Sequence, residues 1–283
     1  MFFSILLSIF SISAFLFFIL VAFVMPSGRN HPVIKRLKGR LCAHRGLHSK
    51  EKGLPENSLG AFAEAVRLGY GMELDVRMSA DGNLFVIHDN NTARVTGENL
   101  DIDKSTGEQI KALRLEGTQY AIPEFSEVLS LVGGRVPLII ELKTEKNNCK
   151  ALGEAVFEQL EGYKGDYVIE SFDPRMVRWT KNNHPDVARG QLIIYSRRHG
   201  NKKIPVAVDF AAQNLLSNCL TRPDFIAIHY PDRGGNMLKM CRKMGVEEID
   251  WTLRSQEELD TCRRDKVLAF IFENFIPDEK TAL

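Results

Sequence analysis

Neither sign of charge predominates in this chain: 37 Lys and Arg stand against 36 Asp and Glu over 283 residues, a formal net charge of +1. So even a balance leaves no electrostatic footprint for nucleic acid, whose binding depends on neutralising phosphates. Cysteine is scarce as well. The five present (Cys42, Cys149, Cys219, Cys241 and Cys262) are odd in number and form no Cys-x-x-Cys pair. That argues against a disulfide framework or a zinc ribbon and suits a reducing compartment. There is no P-loop and no internal repeat. With 44% hydrophobic and 26% charged residues the composition is that of an ordinary globular protein. One α/β barrel domain fits the length.

Charge is also absent locally. From Phe2 to Val24 only apolar residues and four serines (Ser4, Ser8, Ser11 and Ser13) occur, and about 20 such residues span the hydrocarbon core of a bilayer. A secretory signal would carry a basic start, a shorter apolar stretch and a small-residue cleavage site, none of which is clear here. Residues 1–25 are therefore predicted to be a single transmembrane anchor. Arg29, Lys35, Arg36, Lys38 and Arg40 make residues 26–40 a basic juxtamembrane linker. By the positive-inside rule they place the remaining domain, 41–283, on the cytoplasmic face of the membrane.

Beyond the linker, β-rich apolar runs alternate with helical patterns. Strands are predicted at Leu41–Gly46, Gly71–Arg77, Leu84–Asp89, Val136–Lys143, Tyr167–Phe172, Gln191–Ser196, Phe225–His229, Glu248–Leu253 and Val267–Phe272. Helical spacing marks Ser58–Leu68, Pro123–Leu131, Ala151–Leu160, Met176–Asn182, Met237–Met244 and Gln256–Arg263. The alternation implies a parallel sheet. Ala80-Asp81-Gly82-Asn83 is a hairpin signal, so the second and third runs form an antiparallel pair. That leaves eight parallel strands, a TIM (β/α)8 barrel with a β-hairpin insertion after strand 2. A two-residue turn at Asp81-Gly82 sets Asp75 opposite His88. Residues 90–122, of mixed polarity and no sustained period, are predicted to lie over the barrel mouth.

The chemistry-bearing residues gather at strand ends. In a strand, residues i and i+2 point the same way, so Glu73 shares a face with Asp75, and Glu141 with Lys143. Both pairs close their strands on the side where barrel enzymes keep their chemistry. Three hard carboxylates there suit one divalent cation, Mg²⁺ or Ca²⁺, more than zinc. Arg45 and Lys143 supply positive charge for phosphate oxygens, the first as a fork and the second as a point charge. His44 and His88 are the candidates for proton transfer, since histidine titrates near neutrality. Asn57 or Ser58 is predicted to cap the first helix, and Glu56 and Asn57 stand where they could also reach the metal or substrate. His31, His48, His184, His199 and His229 lack such company and receive no role.

These residues resemble the glycerophosphodiester phosphodiesterase family, within the wider group of barrels that includes phosphatidylinositol-specific phospholipase C. The matching segments are AHRG (43–46), PENS (55–58), ELDVRMSADGNLFVIHD (73–89), IIELK (139–143), ESFD (170–173) and WT (251–252). The resemblance implies a metal-dependent barrel that hydrolyses glycerophosphodiesters to glycerol 3-phosphate and an alcohol. Carried over by position, it implies Glu73, Asp75 and Glu141 as metal ligands, helped by Glu56 and Asn57, and His44 and His88 as the acid–base pair. Arg45 and Lys143 would stand at the phosphate, with Phe172 and Trp251 lining the pocket. The sequence departs from the family at PENS, commonly PENT, and at Phe272-Glu273-Asn274, where an Ile-Thr-Asp-x-Pro-like strand end is usual. Two rival readings accompany it. One is a lysophospholipase D, supported by the anchor, which is expected to hold the barrel mouth near the bilayer. The other is a catalytically silent phosphate-binding barrel, which would be expected to have lost a histidine or an acid.

Overall fold

The structure is a computed structural model describing residues 2–27 and 31–278. Met1, the basic-flank Arg29 and residues 279–283 of the predicted domain lie outside them. Nine strands are present among the described residues: β1 (Arg40–His44), β2 (Gly71–Met78), β3 (Leu84–Val86), β4 (Leu138–Leu142), β5 (Tyr167–Ser171), β6 (Arg189–Ile193), β7 (Phe225–His229), β8 (Glu248–Leu253) and β9 (Ala269–Phe272). The helices are α1 (Phe2–Val24), α2 (Pro32–Leu37), α3 (Leu59–Leu68), α4 (Ala93–Thr96), α5 (Gly107–Ala112), α6 (Phe125–Val132), α7 (Cys149–Leu160), α8 (Pro174–Asn183), α9 (Val206–Gln213), α10 (Asn218–Thr221), α11 (Asn236–Lys243) and α12 (Gln256–Arg264).

Eight strands close in the order β1-β9-β8-β7-β6-β5-β4-β2, with β1 pairing β2. All eight pair in parallel. This is the predicted TIM barrel. Strand alternation divides its apolar side chains. Leu41, Ala43, Met72, Leu74, Leu138 and Ile140 pack outward against the helices, while Cys42, Ile139, Val168, Phe225, Ala227, Ile249 and Ile271 fill the interior. Such all-round burial explains why the strands read as nearly unbroken apolar runs.

The hairpin forms, with one correction. β1 uses the start of β2, at Gly71–Glu73, and β3 pairs antiparallel with its end, Val76 facing Val86 and Met78 facing Leu84. Ser79 N donates to Asn83 O, so the turn holds three residues, Ala80 to Gly82, with Gly82 at φ +87°. A left-handed third residue is the usual geometry of a three-residue hairpin. The register therefore slips by one from that predicted: Asp75 stands across from Ile87, whose N–H donates to its carbonyl. A slip would ordinarily turn His88 to the other face. Here the strand stops at Val86, so alternation no longer governs residue 88, and His88 still reaches the barrel mouth.

Three further segments differ from expectation. Within residues 26–40, read as a linker, Pro32–Leu37 is a helix capped by the His31 side chain. Its Val33, Ile34 and Leu37 are buried in the interior apolar cluster, so α2 closes the barrel at the N-terminal ends of its strands. Residues 90–122 fold on a small core of their own, with Val95, Ile102, Ile110 and Leu115 packing on Phe85 and Ile87 of the hairpin. Strand β6 begins at Arg189, two residues before the predicted start, and ends at Ile193. Beyond it, Tyr195 N donates to the buried Asp232 carboxylate instead of a neighbouring strand.

The apolar helix α1, 23 residues, is long and apolar enough to span a membrane. Its end docks beside β7's start: Asn218 Nδ2 donates to Val24 O, and Arg222 Nη1 donates to Ala22 O and Met25 O. That is the N-terminal end of the barrel, opposite the predicted site. A membrane-spanning α1 would therefore not by itself bring the mouth to the bilayer, contrary to the expectation attached to the lysophospholipase D reading.

Candidate active site

The sequence around β1 builds the first wall. Gly46 must be glycine: it takes φ +77°, and a Cβ there would meet Phe62 Cδ1 at 2.9 Å and Ala61 at 3.0 Å. Asn57 N donates to Arg45 O, tying the first loop together. Ser58 is the cap of α3, accepting from Ala61 N at 3.1 Å. Asn57 is thereby released from capping, and its Nδ2 donates to Asp75 Oδ2 at 2.9 Å.

Glu73, Asp75 and Glu141 are buried, and each offers an oxygen within 4.8 Å of the others. Asp75 sits across from Glu141 in the sheet, which in turn faces Glu170. Burial raises the Glu73 carboxyl well above the usual range, and Asp75 and Glu141 repel it further. Burial likewise lifts Glu141 to about 7 despite Lys143 beside it, and raises Glu170. Burial alone would push Asp75 up too, but Lys143, His88 and Arg45 outweigh it and hold Asp75 well below the carboxylate range. Lys143 Nζ lies 2.7 Å from Glu141 Oε2 and 3.0 Å from Asp75 Oδ1. Arg45 donates its backbone N–H to Glu73 Oε2 at 3.2 Å, and its Nε lies 3.4 Å from Asp75 Oδ2.

Four acids thus share two cations. Glu170 Oε2, on the cavity wall, is buried without a hydrogen-bond partner. Excess buried carboxylate and hard oxygen donors fit a divalent cation such as Mg²⁺ or Ca²⁺. Glu56 is placed differently from expectation. Its carboxylate is taken by Arg45 Nη1 at 2.9 Å and by Arg94 at 2.7 and 2.8 Å, and it stands outside the three-acid cluster.

Each predicted histidine has a carboxylate behind it. His44 Nδ1 is 3.0 Å from Glu273 Oε1, and its Nε2 is 3.8 Å from Glu73 Oε2. His88 Nδ1 is 2.7 Å from Asp89 Oδ1. Burial lowers His44 against the raising effect of Glu273, and burial brings His88 down to about 4. Both rings are therefore neutral at pH 7, and a carboxylate on Nδ1 leaves Nε2 as the proton acceptor.

These groups share one cavity of about 240 Å³, walled by His44, Arg45, Glu73, His88, Glu141 and Glu170 on its polar side and by Phe172 and Trp251 on its apolar side. The two aromatic rings meet edge to face at 5.6 Å, and Lys143 Nζ stands 5.7 Å from the Phe172 ring. A larger hollow of about 510 Å³ lies at the opposite end, beside Lys35, Lys38 and Met25, and lacks both histidines. The smaller one gathers both predicted histidines and two of the three predicted metal ligands.

Sequence reasoning missed four participants. Asp89 had a signal, being adjacent to His88. Arg94 lies in the insertion and bridges Glu56 to Asp89. Glu170 stood in a quoted motif, but its place beside Glu141 needs the sheet register. Glu273 was noted only as a departure, and it reaches His44 across 229 residues because β9 closes on β1. Among the histidines given no role, His48 Nε2 also lies 3.3 Å from Glu273. His199 and His229 both bond the buried Asp232.

Residues 44–276 match the Glycerophosphoryl diester phosphodiesterase family. A glycerophosphodiester phosphodiesterase of Caldanaerobacter subterraneus subsp. tengcongensis is 30% identical over 243 residues, 79% of this chain and 89% of that protein. Mouse glycerophosphodiester phosphodiesterase 1 is 22% identical over 90% of this chain and 84% of its own. Among solved structures, a glycerophosphodiester phosphodiesterase from Thermotoga maritima superposes with a TM-score of 0.63 at 26% identity, covering 83% of this chain and 94% of that one. An Oleispira antarctica phosphodiesterase in complex with the product sn-glycerol-3-phosphate shares the fold, at a TM-score of 0.69 and 20% identity over 84% of this chain and 94% of its own.

Proposed function

Because this chain belongs to the glycerophosphoryl diester phosphodiesterase family, we propose that its cavity hydrolyses glycerophosphodiesters to glycerol 3-phosphate and an alcohol, by a metal-dependent reaction with histidine acid–base catalysis. The observation carrying this reading is the convergence of two carboxylate-backed histidines on a three-carboxylate cluster, two of whose members, Glu73 and Glu141, line the same cavity as both histidines.

Arg45 and Lys143 bind the non-bridging phosphate oxygens, the guanidinium through a fork and the ammonium as a point charge. Glu73, Asp75 and Glu141 would hold a divalent cation, which would polarise the phosphoryl group and lower the pKa of the attacking hydroxyl. His44 and His88, neutral before substrate arrives, present Nε2 as acceptors. The anionic diester raises the pKa of the ring nearer to it. One imidazole then takes the nucleophile's proton while the other, now charged, donates to the leaving oxygen. Glu273 and Asp89 hold the two rings in the required tautomer. Phe172 and Trp251 pack against the glycerol side of the substrate and exclude water. Asn57 acts at one remove, by orienting Asp75. The helix α1 anchors the enzyme in a membrane, with the barrel on its cytoplasmic side.

The test is release of glycerol 3-phosphate from glycerophosphocholine and glycerophosphoethanolamine by the full chain in detergent, with Mg²⁺, with Ca²⁺ and with EDTA. Cation-dependent release is expected. His44→Ala and His88→Ala should each lower turnover by roughly 10²–10⁴-fold, the scale of general acid–base catalysis. Near-wild-type turnover in both would remove the histidines from the mechanism.

A further inference from the structure

The helix α9 is built inside out. Its only buried residue is Asp209, whose carboxylate accepts from Arg197 N and Gln213 Nε2. Its apolar residues point to solvent: Val206, Val208 and Phe210 are 65%, 55% and 59% exposed, and Leu220 of the following α10 is 52% exposed. A helix flanking a soluble barrel normally does the reverse, turning its apolar stripe to the core. Large apolar residues exposed outside α1 are otherwise only Phe172, Met244 and Ile276 among the described residues. The patch is therefore concentrated in one stretch of chain and not scattered.

Its surroundings name the occupant. The end of α1 docks on this same stretch, through Asn218 and Arg222 and through packing of Val24 in one cluster with Leu215. The patch is thus continuous with a helix of membrane-spanning length. Immediately before α9, Arg197-Arg198-His199-Gly200-Asn201-Lys202-Lys203 contains four basic residues and no acid, with Arg198, Lys202 and Lys203 exposed. Basic clusters beside an exposed apolar helix match anionic headgroups above acyl chains. This segment follows the C-terminal end of β6, where Ile194 lines the active cavity.

We propose that α9 and α10 form a second membrane contact, in which Val206, Phe210 and Leu220 enter the acyl boundary of the bilayer and the 197–203 loop binds anionic headgroups. The inference rests on α1 spanning the membrane. The barrel then lies on its β6–β7 flank, with its mouth opening along the bilayer surface.

The full chain, reconstituted in phosphatidylcholine vesicles with and without phosphatidylglycerol, tests this by photocross-linking. p-Benzoylphenylalanine replaces Phe210, Phe10 in α1, or Glu154 on the exposed α7, and adducts are read by mass spectrometry. Lipid adducts at 10 and 210 but not at 154 are expected. Lys202→Glu/Lys203→Glu should lower the adduct at 210 in anionic vesicles by about 25-fold, since each of the two basic residues near an anionic surface contributes about fivefold. Lipid at 10 with none at 210 would overturn the proposal and leave the anchor standing. No lipid at either position would remove the anchor and the proposal together. A cross-link at 210 to a second copy of the chain would overturn the proposal in favour of self-association.

Discussion

Exchanging Glu273 for glutamine isolates the orientation of His44 from everything else in the cavity. Glu273 Oε1 lies 3.0 Å from His44 Nδ1, with the two side chains only 12% and 11% exposed, and Glu273 is not part of the cavity wall. A carboxylate can only accept, so it fixes the proton on Nδ1 and leaves Nε2 bare. Glutamine is nearly isosteric but can turn its NH₂ to the ring, which selects the opposite tautomer. A hydrogen bond to a charged group contributes about 1.5–3 kcal/mol. At about 1.36 kcal/mol per tenfold in rate, kcat should fall roughly 10- to 150-fold, and the tautomer change moves the result toward the upper end. KM should hardly move, because no substrate contact is lost. The pH profile gives the independent readout. Burial lowers the His44 pKa while the Glu273 bond raises it, so in the variant the raising effect of Glu273 is lost and the limb governed by His44 shifts to lower pH. The assay is glycerol 3-phosphate release across the pH range, in wild type, in Glu273→Gln and in both made on His44→Ala. In the alanine background the second change should have no further effect. Wild-type kcat with an unmoved profile would refute the reasoning.

Three other outcomes follow from the buried acids and the barrel floor. Glu73→Gln removes a carboxyl that its neighbours repel, so the EDTA-treated variant should melt no lower than wild type. The divalent-cation stabilisation, about 2.7 kcal/mol for wild type at a hundredfold excess over Kd, should vanish from its thermal melt. Glu73 and Glu141 have folded pKa values above their unfolded ones, about 7 for Glu141, so the fold holds these protons more tightly than the unfolded chain does. The metal-free protein should therefore lose stability as pH rises from the usual carboxylate range toward about 7. Cation affinity should strengthen over the same interval, as calorimetric titration at several pH values would show. Leu37→Ala, which hollows the fully buried contact of α2 with the barrel interior, should lower stability by about 2–5 kcal/mol while leaving kcat unchanged below the melting transition.

What the sequence disclosed and what it withheld follow from the range of the interactions involved. Alternation over five or six residues placed Glu73 beside Asp75 and Glu141 beside Lys143, because the two-residue period is a local property of extended backbone. The eight-stranded count was legible once Asp81-Gly82 marked a turn. The length of that turn was not, since it depends on Ser79 N choosing Asn83 O over its neighbours. Glu273 and Glu170 escaped for a different reason: each meets its partner only through barrel closure or strand register, which no local pattern encodes. Residues 32–37 read as a linker because six residues carry too little periodicity to betray a helix whose stability comes from the barrel it plugs. The inverted amphipathicity of α9 was invisible for the same reason, as an apolar helix gives one pattern whichever solvent it faces.

The floor formed by α2 and the interior apolar cluster closes the far end of the barrel, so the cavity opens at the mouth. Substrate, water and both products must share it, so turnover becomes a matter of traffic. The alcohol leaves without a phosphate. In the proposed reaction glycerol 3-phosphate would depart past Arg45 and Lys143, the same side chains proposed to hold the diester, and until it cleared the threshold no new substrate could enter. The product should thus compete directly with substrate, and its exit, more than bond cleavage, would set the pace when glycerol 3-phosphate accumulates around the enzyme.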